Sequence, residues 1–222
     1  MTTRERLRML ILAIPFCLLA LMLLVINGHC QIIGTYTVGT GGNSVARYQM
    51  PFAQQEYPQL PRNDVWFAGQ DGLTCQQLKP LLPLMARQVN VFVVYDITND
   101  VRVQTPTDQL IQCLQDTITA IELRDPGVHI VLPNEHPWTQ DNCIGDRRDL
   151  IDEYNAAIPQ LASSSVTVVD VWTPNVLQDG SRWADPQYMT GFCGVHPGPA
   201  MQWSASWAHF VQPVVQAVKR IR

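Results

Sequence analysis

The sequence predicts an α/β domain in which a five-stranded parallel sheet is covered by helices on both faces, preceded by one membrane-spanning helix. Short apolar runs rich in β-branched residues alternate with helix-length segments along the chain. These runs are apolar at nearly every position, which is typical of strands that are buried on both sides. An apolar stretch of 18 residues precedes them and is long enough to cross most of a bilayer.

The membrane-spanning helix is predicted over residues 9–26. Arg4, Arg6 and Arg8 precede this stretch, and the next basic residue is Arg47. Because basic residues remain on the cytoplasmic side, the folded domain is expected outside the cytoplasm. We therefore expect a single-pass protein of the cell membrane and cell envelope, with four segments: a cytoplasmic tail (1–8), the transmembrane signal-anchor (9–26), a linker (27–34) and the extracytoplasmic domain (35–222).

Two alternatives to an anchor remain open at the N-terminus. A cleaved signal peptide has a shorter apolar region and ends in small residues, whereas this stretch exits through Asn27-Gly28-His29-Cys30. Cys30 suggests a lipoprotein, but His29 stands where a small residue is expected. All three interpretations place the domain in the same compartment.

Composition restricts the classes of function that need consideration. The 222 residues are 46% hydrophobic and 15% charged, which argues for a full core and against disorder. The net charge is −4 and no basic patch follows the first eight residues, so no nucleic-acid partner is expected. The histidines are scattered and there is no CxxC motif, so neither a metal nor another cofactor is expected.

The secondary structure follows from the apolar patterns. Helical stripes recur at Leu110, Leu114, Ile118 and Ile121, then at Leu150, Tyr154, Ile158 and Leu161, and finally from Trp203 to Val218. The five predicted strands are Ile32–Val38, Val65–Ala68, Val91–Tyr95, Val128–Leu132 and Val166–Val171.

Chemistry in parallel sheets gathers where strands end, so the residues that follow each predicted strand are the candidates for a site. Ser44 follows the first strand and could be presented at the start of a helix, beside free N–H groups. His196 lies in a Gly- and Pro-rich loop after the fifth strand and is a natural base. Gly69 and Asn99 follow the second and third strands and could donate hydrogen bonds to an oxyanion. This order favours acyl transfer from an ester.

In these four blocks the chain resembles the SGNH (GDSL-type) hydrolase family. Gly42-Asn43-Ser44 is similar to the family's GDS block, and Gly69 to its second block. Residues 97–100, read ITND, match GxND except at the first position, and residues 193–196, read CGVH, match DxxH except at the acid. Residues 45–78 are also similar to SGNH domains linked to bacterial surface-polymer acylation. The resemblance implies a three-layer, flavodoxin-like fold with Ser44 as nucleophile and His196 as base, and with Ser44, Gly69 and Asn99 as oxyanion donors.

The chain departs from the family pattern most seriously at Cys193, which replaces the acid of the triad. That acid orients the imidazole, and its loss can lower the rate by about 10⁴ where it is essential. A backbone carbonyl could hold the His196 ring instead, or Asp185 could swing in from the same loop. Ile97 in place of glycine is expected to narrow the site, whereas Asn43 in place of aspartate should cost little.

The four cysteines of the folded domain would face an oxidising space, where two disulfides and three connectivities are possible. Cys143 and Cys193 both follow late strands at one end of the sheet, so we favour a bridge that pins the His196 loop. The favoured second pair is then Cys75–Cys113. His136-Pro137-Trp138, after the fourth strand, either lines the pocket or forms a surface loop around a packed Trp138.

The sequence thus favours a membrane-anchored serine esterase or acyl-transfer enzyme that acts on O-acyl esters of surface glycans or lipids. The alternative is a catalytically degenerate SGNH fold that serves as an accessory or binding subunit of a membrane assembly. The expected partners are an acyl ester substrate, the membrane and, for the alternative in particular, a membrane protein.

Overall fold

The computed structural model describes residues 38–48, 65–86, 89–198 and 205–221, with side chains given from residue 68 onward in the second range. The predicted cytoplasmic tail, membrane anchor and linker lie outside the described residues. Among the helices that are described, none combines the length and the apolar character needed to cross a bilayer.

The described residues form a parallel sheet of five strands in the spatial order β2-β1-β3-β4-β5. This is the strand order of flavodoxin-like folds, and it places β1 and β3 side by side in the middle. The predicted five-stranded parallel sheet is therefore confirmed. The strands are β1 (Val38–Gly42), β2 (Val65–Gly69), β3 (Val91–Tyr95), β4 (His129–Pro133) and β5 (Val166–Val169).

Seven α-helices are described between and after these strands. They are α1 (Ser44–Tyr48), α2 (Cys75–Leu78), α3 (Leu82–Met85), α4 (Thr98–Val103), α5 (Thr107–Arg124), α6 (Arg148–Ala157) and α7 (Ala205–Arg220). Short 3₁₀ turns cover Ile158–Leu161, Thr173–Asn175 and Phe192–Gly194.

Two hydrophobic cores lie on opposite faces of the sheet. Phe92 and Val94 of β3 pack into the core that contains α5 and α6. Their neighbours Val91, Val93 and Tyr95 pack into the core that contains α1 and α7. Because alternate side chains of one strand enter different cores, the fold has three layers. The predicted stripes of α5 and α6 supply buried residues to the first core, and that of α7 to the second.

The first strand was predicted over Ile32–Val38, and residues 32–37 of that prediction lie outside the described residues. The described strand continues to Gly42, so Gly41 and Gly42 belong to the strand and not to the loop after it. Among the other strands, β3 has the predicted bounds, and β2, β4 and β5 differ from their predictions by one or two residues at an end. The favoured disulfides Cys75–Cys113 and Cys143–Cys193 are both present.

Candidate active site

Ser44 is presented by a tight turn between β1 and α1. Gly42 has a φ of +138°, and a Cβ on it would lie 1.8 Å from the carbonyl oxygen of Tyr95. Glycine is therefore required here. Asn43 is fully buried and its Oδ1 accepts the main-chain N–H of Val45 at 2.9 Å, which caps the helix start. The turn accordingly tolerates asparagine where the family has aspartate.

Ser44 and His196 are brought together across 152 residues of chain. The Oγ of Ser44 lies 2.8 Å from Nε2 of His196, and both residues are only 7% exposed. Nδ1 of His196 faces the main-chain carbonyl oxygen of Phe192 at 3.4 Å. Because a carbonyl oxygen only accepts, this contact places the ring proton on Nδ1 and leaves Nε2 free to accept the Ser44 proton.

Burial lowers the pKa of His196 below its usual value of 6.5, opposed by the Phe192 carbonyl and then by the negative charge of Asp71. A neutral imidazole is therefore the favoured form at neutral pH. This protonation state is the one that a general base requires.

The chain supplies a carbonyl where the family has an acid. Cys193 lies in the left-handed region with a φ of +62° and is held by its disulfide to Cys143. That bridge fixes the 3₁₀ turn whose carbonyl faces His196. Asp185 accepts the main-chain N–H of Gln187 at 2.8 Å, so its carboxylate is engaged in its own turn.

Asn99 lies in the first turn of α4 and lines the same pocket as Ser44 and His196. Its side-chain Nδ2 is buried and has no hydrogen-bond partner among the residues that the structure describes. An unpaired buried amide costs free energy, so this donor is available to a charge that forms in the pocket.

Gly69 ends β2 opposite Gly42 and does not appear among the described residues that line the pocket. A Cβ at Gly69 would lie 2.7 Å from both the main-chain nitrogen of Arg47 and the main-chain carbonyl oxygen of Asn43. Glycine at this position therefore allows α1 to approach the strand. The pocket wall on this side is formed by Asp71 and Gly72.

The pocket has a volume of about 330 Å³ and is lined by both apolar and polar residues. Its apolar lining includes Ile144, Phe192 and Val195. Its polar lining includes Tyr48 and Asp71: the Tyr48 hydroxyl donates to Asp71 at 2.7 Å, and Asp71 also pairs with Arg47 at 3.1 Å.

Sequence reasoning missed most of this lining. Arg102 lines the pocket and donates to the Gly72 carbonyl at 3.2 Å, yet an exposed arginine on a helix gave no signal. Ile144 and Phe192 are the sequence neighbours of Cys143 and Cys193. Because the bridge between these cysteines was expected to hold the His196 loop, it could have indicated that both neighbours line the pocket. His136 and Trp138 are each 2% exposed and lie outside the described pocket lining, so the prediction that they line it is wrong. Trp138 is packed, as the second interpretation expected, but the segment around it is buried and not on the surface.

Comparison with known proteins agrees with this geometry. The sequence model of the GDSL-like lipase/acylhydrolase family matches residues 34–203. The chain belongs to this family. No curated protein matches the chain in sequence.

Three solved structures are similar to this chain in fold. A GDSL-like lipase from Bacteroides thetaiotaomicron is 18% identical with a TM-score of 0.68, over 86% of this chain and 91% of that chain. A carbohydrate esterase of family 3 from Talaromyces cellulolyticus is 16% identical with a TM-score of 0.59, over 84% and 99%. The catalytic domain of a Streptococcus pneumoniae peptidoglycan O-acetyltransferase is 13% identical with a TM-score of 0.57, over 83% and 93%.

Proposed function

We propose that this GDSL-type protein is a serine esterase or acyl-transfer enzyme, anchored in the cell membrane and acting outside the cytoplasm on O-acyl esters of surface glycans or lipids. The observation that carries the proposal is the 2.8 Å contact between the Ser44 hydroxyl and Nε2 of His196. A nucleophile and its base must lie within hydrogen-bonding reach for the serine to be activated.

The proposed reaction has two stages. Oγ of Ser44 attacks the ester carbonyl carbon while its proton passes to Nε2 of His196. The oxyanion that forms accepts hydrogen bonds from Asn99 Nδ2 and from the main-chain N–H group of Ser44. The intermediate then collapses, the C–O bond to the alcohol breaks, and His196 returns the proton to the departing oxygen.

The acyl group now esterifies Ser44 and must be passed on. His196 takes a proton from water, or from a hydroxyl of an acceptor, and this second nucleophile attacks the acyl carbon. The serine leaves with the proton that His196 returns. Water gives hydrolysis and a sugar hydroxyl gives transfer, with the same residues in both cases.

The mixed lining of the pocket supports an acyl ester of a hydroxyl-rich molecule. The apolar residues Ile144, Phe192 and Val195 suit the acyl chain. Tyr48, Asp71 and Arg102 offer polar groups to the alcohol portion. The carbohydrate esterase and the peptidoglycan O-acetyltransferase that share this fold support a glycan substrate, and the GDSL-like lipase supports a lipid, so the proposal keeps both.

Anchoring is part of the proposal because the sequence supports it. The apolar stretch 9–26 follows three arginines, which favours a cytoplasmic N-terminus. The two disulfides of the domain are also typical of a compartment outside the cytoplasm.

One observation favours a second candidate, a degenerate fold that serves as an accessory subunit of a membrane assembly. The cysteine at the family's acid position is locked in a disulfide, so His196 has no carboxylate partner among the described residues. This candidate predicts a stoichiometric membrane-protein partner and an unchanged cellular phenotype for Ser44→Ala.

The discriminating experiment measures hydrolysis of p-nitrophenyl acetate and butyrate by the purified, oxidised full chain in detergent. Wild-type protein should turn over both esters, and Ser44→Ala should remove the activity. Ser163→Ala is the matched control, because Ser163 is exposed and bonds to Ser165 outside the pocket. A folded wild-type chain that turns over neither ester would favour the accessory subunit.

A further inference from the structure

Two buried ionisable residues behind the site have no role in the reaction proposed above. Glu135 and His136 follow β4 after Asn134 and are each 2% exposed. Burying an ionisable group costs free energy unless its polar atoms find partners. Their partners therefore indicate what the burial achieves.

His136 is attached to the loop that carries His196. Its Nε2 lies 2.6 Å from the carbonyl oxygen of Val195, the residue immediately before His196. The carbonyl accepts, so Nε2 carries the ring proton. The ring of Phe210 packs edge-on against the imidazole at 5.1 Å. Burial lowers the pKa of His136 to about 4, so the imidazole is neutral and its Nδ1 is unprotonated.

Glu135 is attached to the helix that carries Asn99. The hydroxyl of Thr98, the residue before Asn99, contacts Oε2 of Glu135 at 3.1 Å. Oε1 of Glu135 accepts the indole N–H of Trp138 at 3.1 Å and lies 3.5 Å from Nδ1 of His136. Burial raises the pKa of Glu135 to about 8, so the carboxyl is protonated at neutral pH and the pair carries no net charge.

The main chain at Glu135 is itself fixed. Asn155 of α6 accepts the Glu135 N–H through Oδ1 and donates to the Glu135 carbonyl through Nδ2, both at 2.8 Å. The following segment is also tied to the histidine loop, because the Thr139 N–H donates to the Gly194 carbonyl at 3.0 Å. The contacts described above form a polar bridge that runs from Thr98 through Glu135 and His136 to Val195. The hydrogen bonds of Asn155 fix the centre of this bridge.

We infer that Glu135 and His136 are positioning residues that hold the Asn99 amide and the His196 ring at a fixed separation from each other. Each acts one peptide away from the group that it positions, through Thr98 and through Val195. The inference rests on the proposed serine esterase function. Displacing a catalytic group by about 1 Å can lower a rate by about 10²-fold, so such a bridge has a measurable consequence.

The test compares two substitutions of His136 in the full chain. His136→Leu removes the donor to the Val195 carbonyl, and kcat for p-nitrophenyl acetate should fall by about 10- to 100-fold while KM stays within about twofold. His136→Gln keeps an N–H at nearly the same reach and should recover most of kcat. Thr117→Val removes a buried hydrogen bond in α5, away from the pocket, and should leave kcat unchanged.

Two results would overturn the inference. The first is a folded His136→Leu protein whose kcat lies within about twofold of wild type. The second is equal impairment of the Leu and Gln proteins, which would indicate a packing role alone. Where a variant does not fold, long-range ¹⁵N–¹H spectra of wild-type protein decide: His136 protonated on Nε2 supports the bridge, and protonation on Nδ1 alone contradicts it. Wild-type protein that lacks esterase activity defeats the proposed function, and the same spectra still test the local bridge.

Discussion

The main-chain carbonyl oxygen of Phe192 faces Nδ1 of His196 at 3.4 Å. In this position a neutral carbonyl replaces the carboxylate that orients the histidine in related hydrolases. The contact is longer than a typical N–H···O hydrogen bond, and a carbonyl stabilises the imidazolium less than a charge does. Orientation of the ring must therefore come largely from the turn that holds Phe192, and that turn is cross-linked by Cys143–Cys193.

Removing the Cys143–Cys193 bridge should impair catalysis as well as stability. The chain-entropy model assigns about 4 kcal/mol to each of the two bridges, since their loops span 50 and 38 residues. Because the Cys143–Cys193 bridge also holds the turn whose carbonyl faces His196, Cys143→Ala/Cys193→Ala should lower kcat at least about tenfold at a temperature where the domain remains folded. The measurement is p-nitrophenyl acetate turnover alongside a thermal melt.

The other bridge provides the matched control. Cys75→Ala/Cys113→Ala should lower the melting temperature by a similar amount, because that bridge joins α2 to α5 within one core. Its kcat, measured below the melting transition, should stay within about twofold of wild type. Equal losses of kcat in both double variants would show that the bridges act through stability alone.

Asn99→Ala should lower kcat by about 10²- to 10³-fold with little change in KM, because the amide is needed only when the oxyanion forms. The motivating observation is its buried, unpaired Nδ2 in the pocket. Steady-state kinetics with p-nitrophenyl butyrate measure the effect. Asn175→Ala removes another buried amide, which donates to Val171 outside the pocket, and should change stability but not kcat. A rise in KM at constant kcat for Asn99→Ala would exclude the oxyanion role.

The pH dependence of kcat/KM should follow His196. Only the neutral imidazole accepts the Ser44 proton, and burial lowers its pKa below 6.5. Activity should therefore fall as the pH decreases through the lowered pKa, so the midpoint of the acid limb should lie below pH 6.5. The rate profile between pH 4.5 and 8 checks this. An acid limb centred above pH 7 would mean that His196 is not the base or is paired with a carboxylate.

Gly69→Ala should lower kcat/KM at least about tenfold. A Cβ would lie 2.7 Å from both the main-chain nitrogen of Arg47 and the main-chain carbonyl oxygen of Asn43. The helix α1 must therefore move away from β2, and this movement displaces Ser44 and lowers the rate. Gly180→Ala is a suitable control: nothing lies within 4 Å of its added Cβ, and its effect should be confined to stability. Wild-type turnover by Gly69→Ala would show that the approach of α1 to β2 is not required.

The alternation of strands and helices was predictable because buried strands and amphipathic helices leave different apolar periods in the sequence. The continuation of β1 beyond Val38 was not predicted, and the reason is physical. These residues read GTGG, because a Cβ at Gly41 would lie 2.5 Å from the Phe92 ring and one at Gly42 would lie 1.8 Å from the carbonyl oxygen of Tyr95. A segment whose glycines permit such close approach has no hydrophobic pattern to detect.

Ser44, Asn99 and His196 could be located in the sequence because short motifs mark them. The Phe192 carbonyl could not, because any residue supplies one and only the turn decides where it points. The sequence singled out His136, but not the positioning role that we infer for Glu135 and His136. That role depends on contacts to Thr98 and Val195, which lie 37 and 59 residues away.

The most direct test of the account is the reaction of the oxidised full chain with a fluorophosphonate, followed by intact mass and peptide mapping. The account predicts one adduct per chain, located on Ser44, with labelling lost in His196→Ala and retained in Ser163→Ala. A folded, disulfide-intact chain that takes up no fluorophosphonate, or takes it up at a residue other than Ser44, would contradict it.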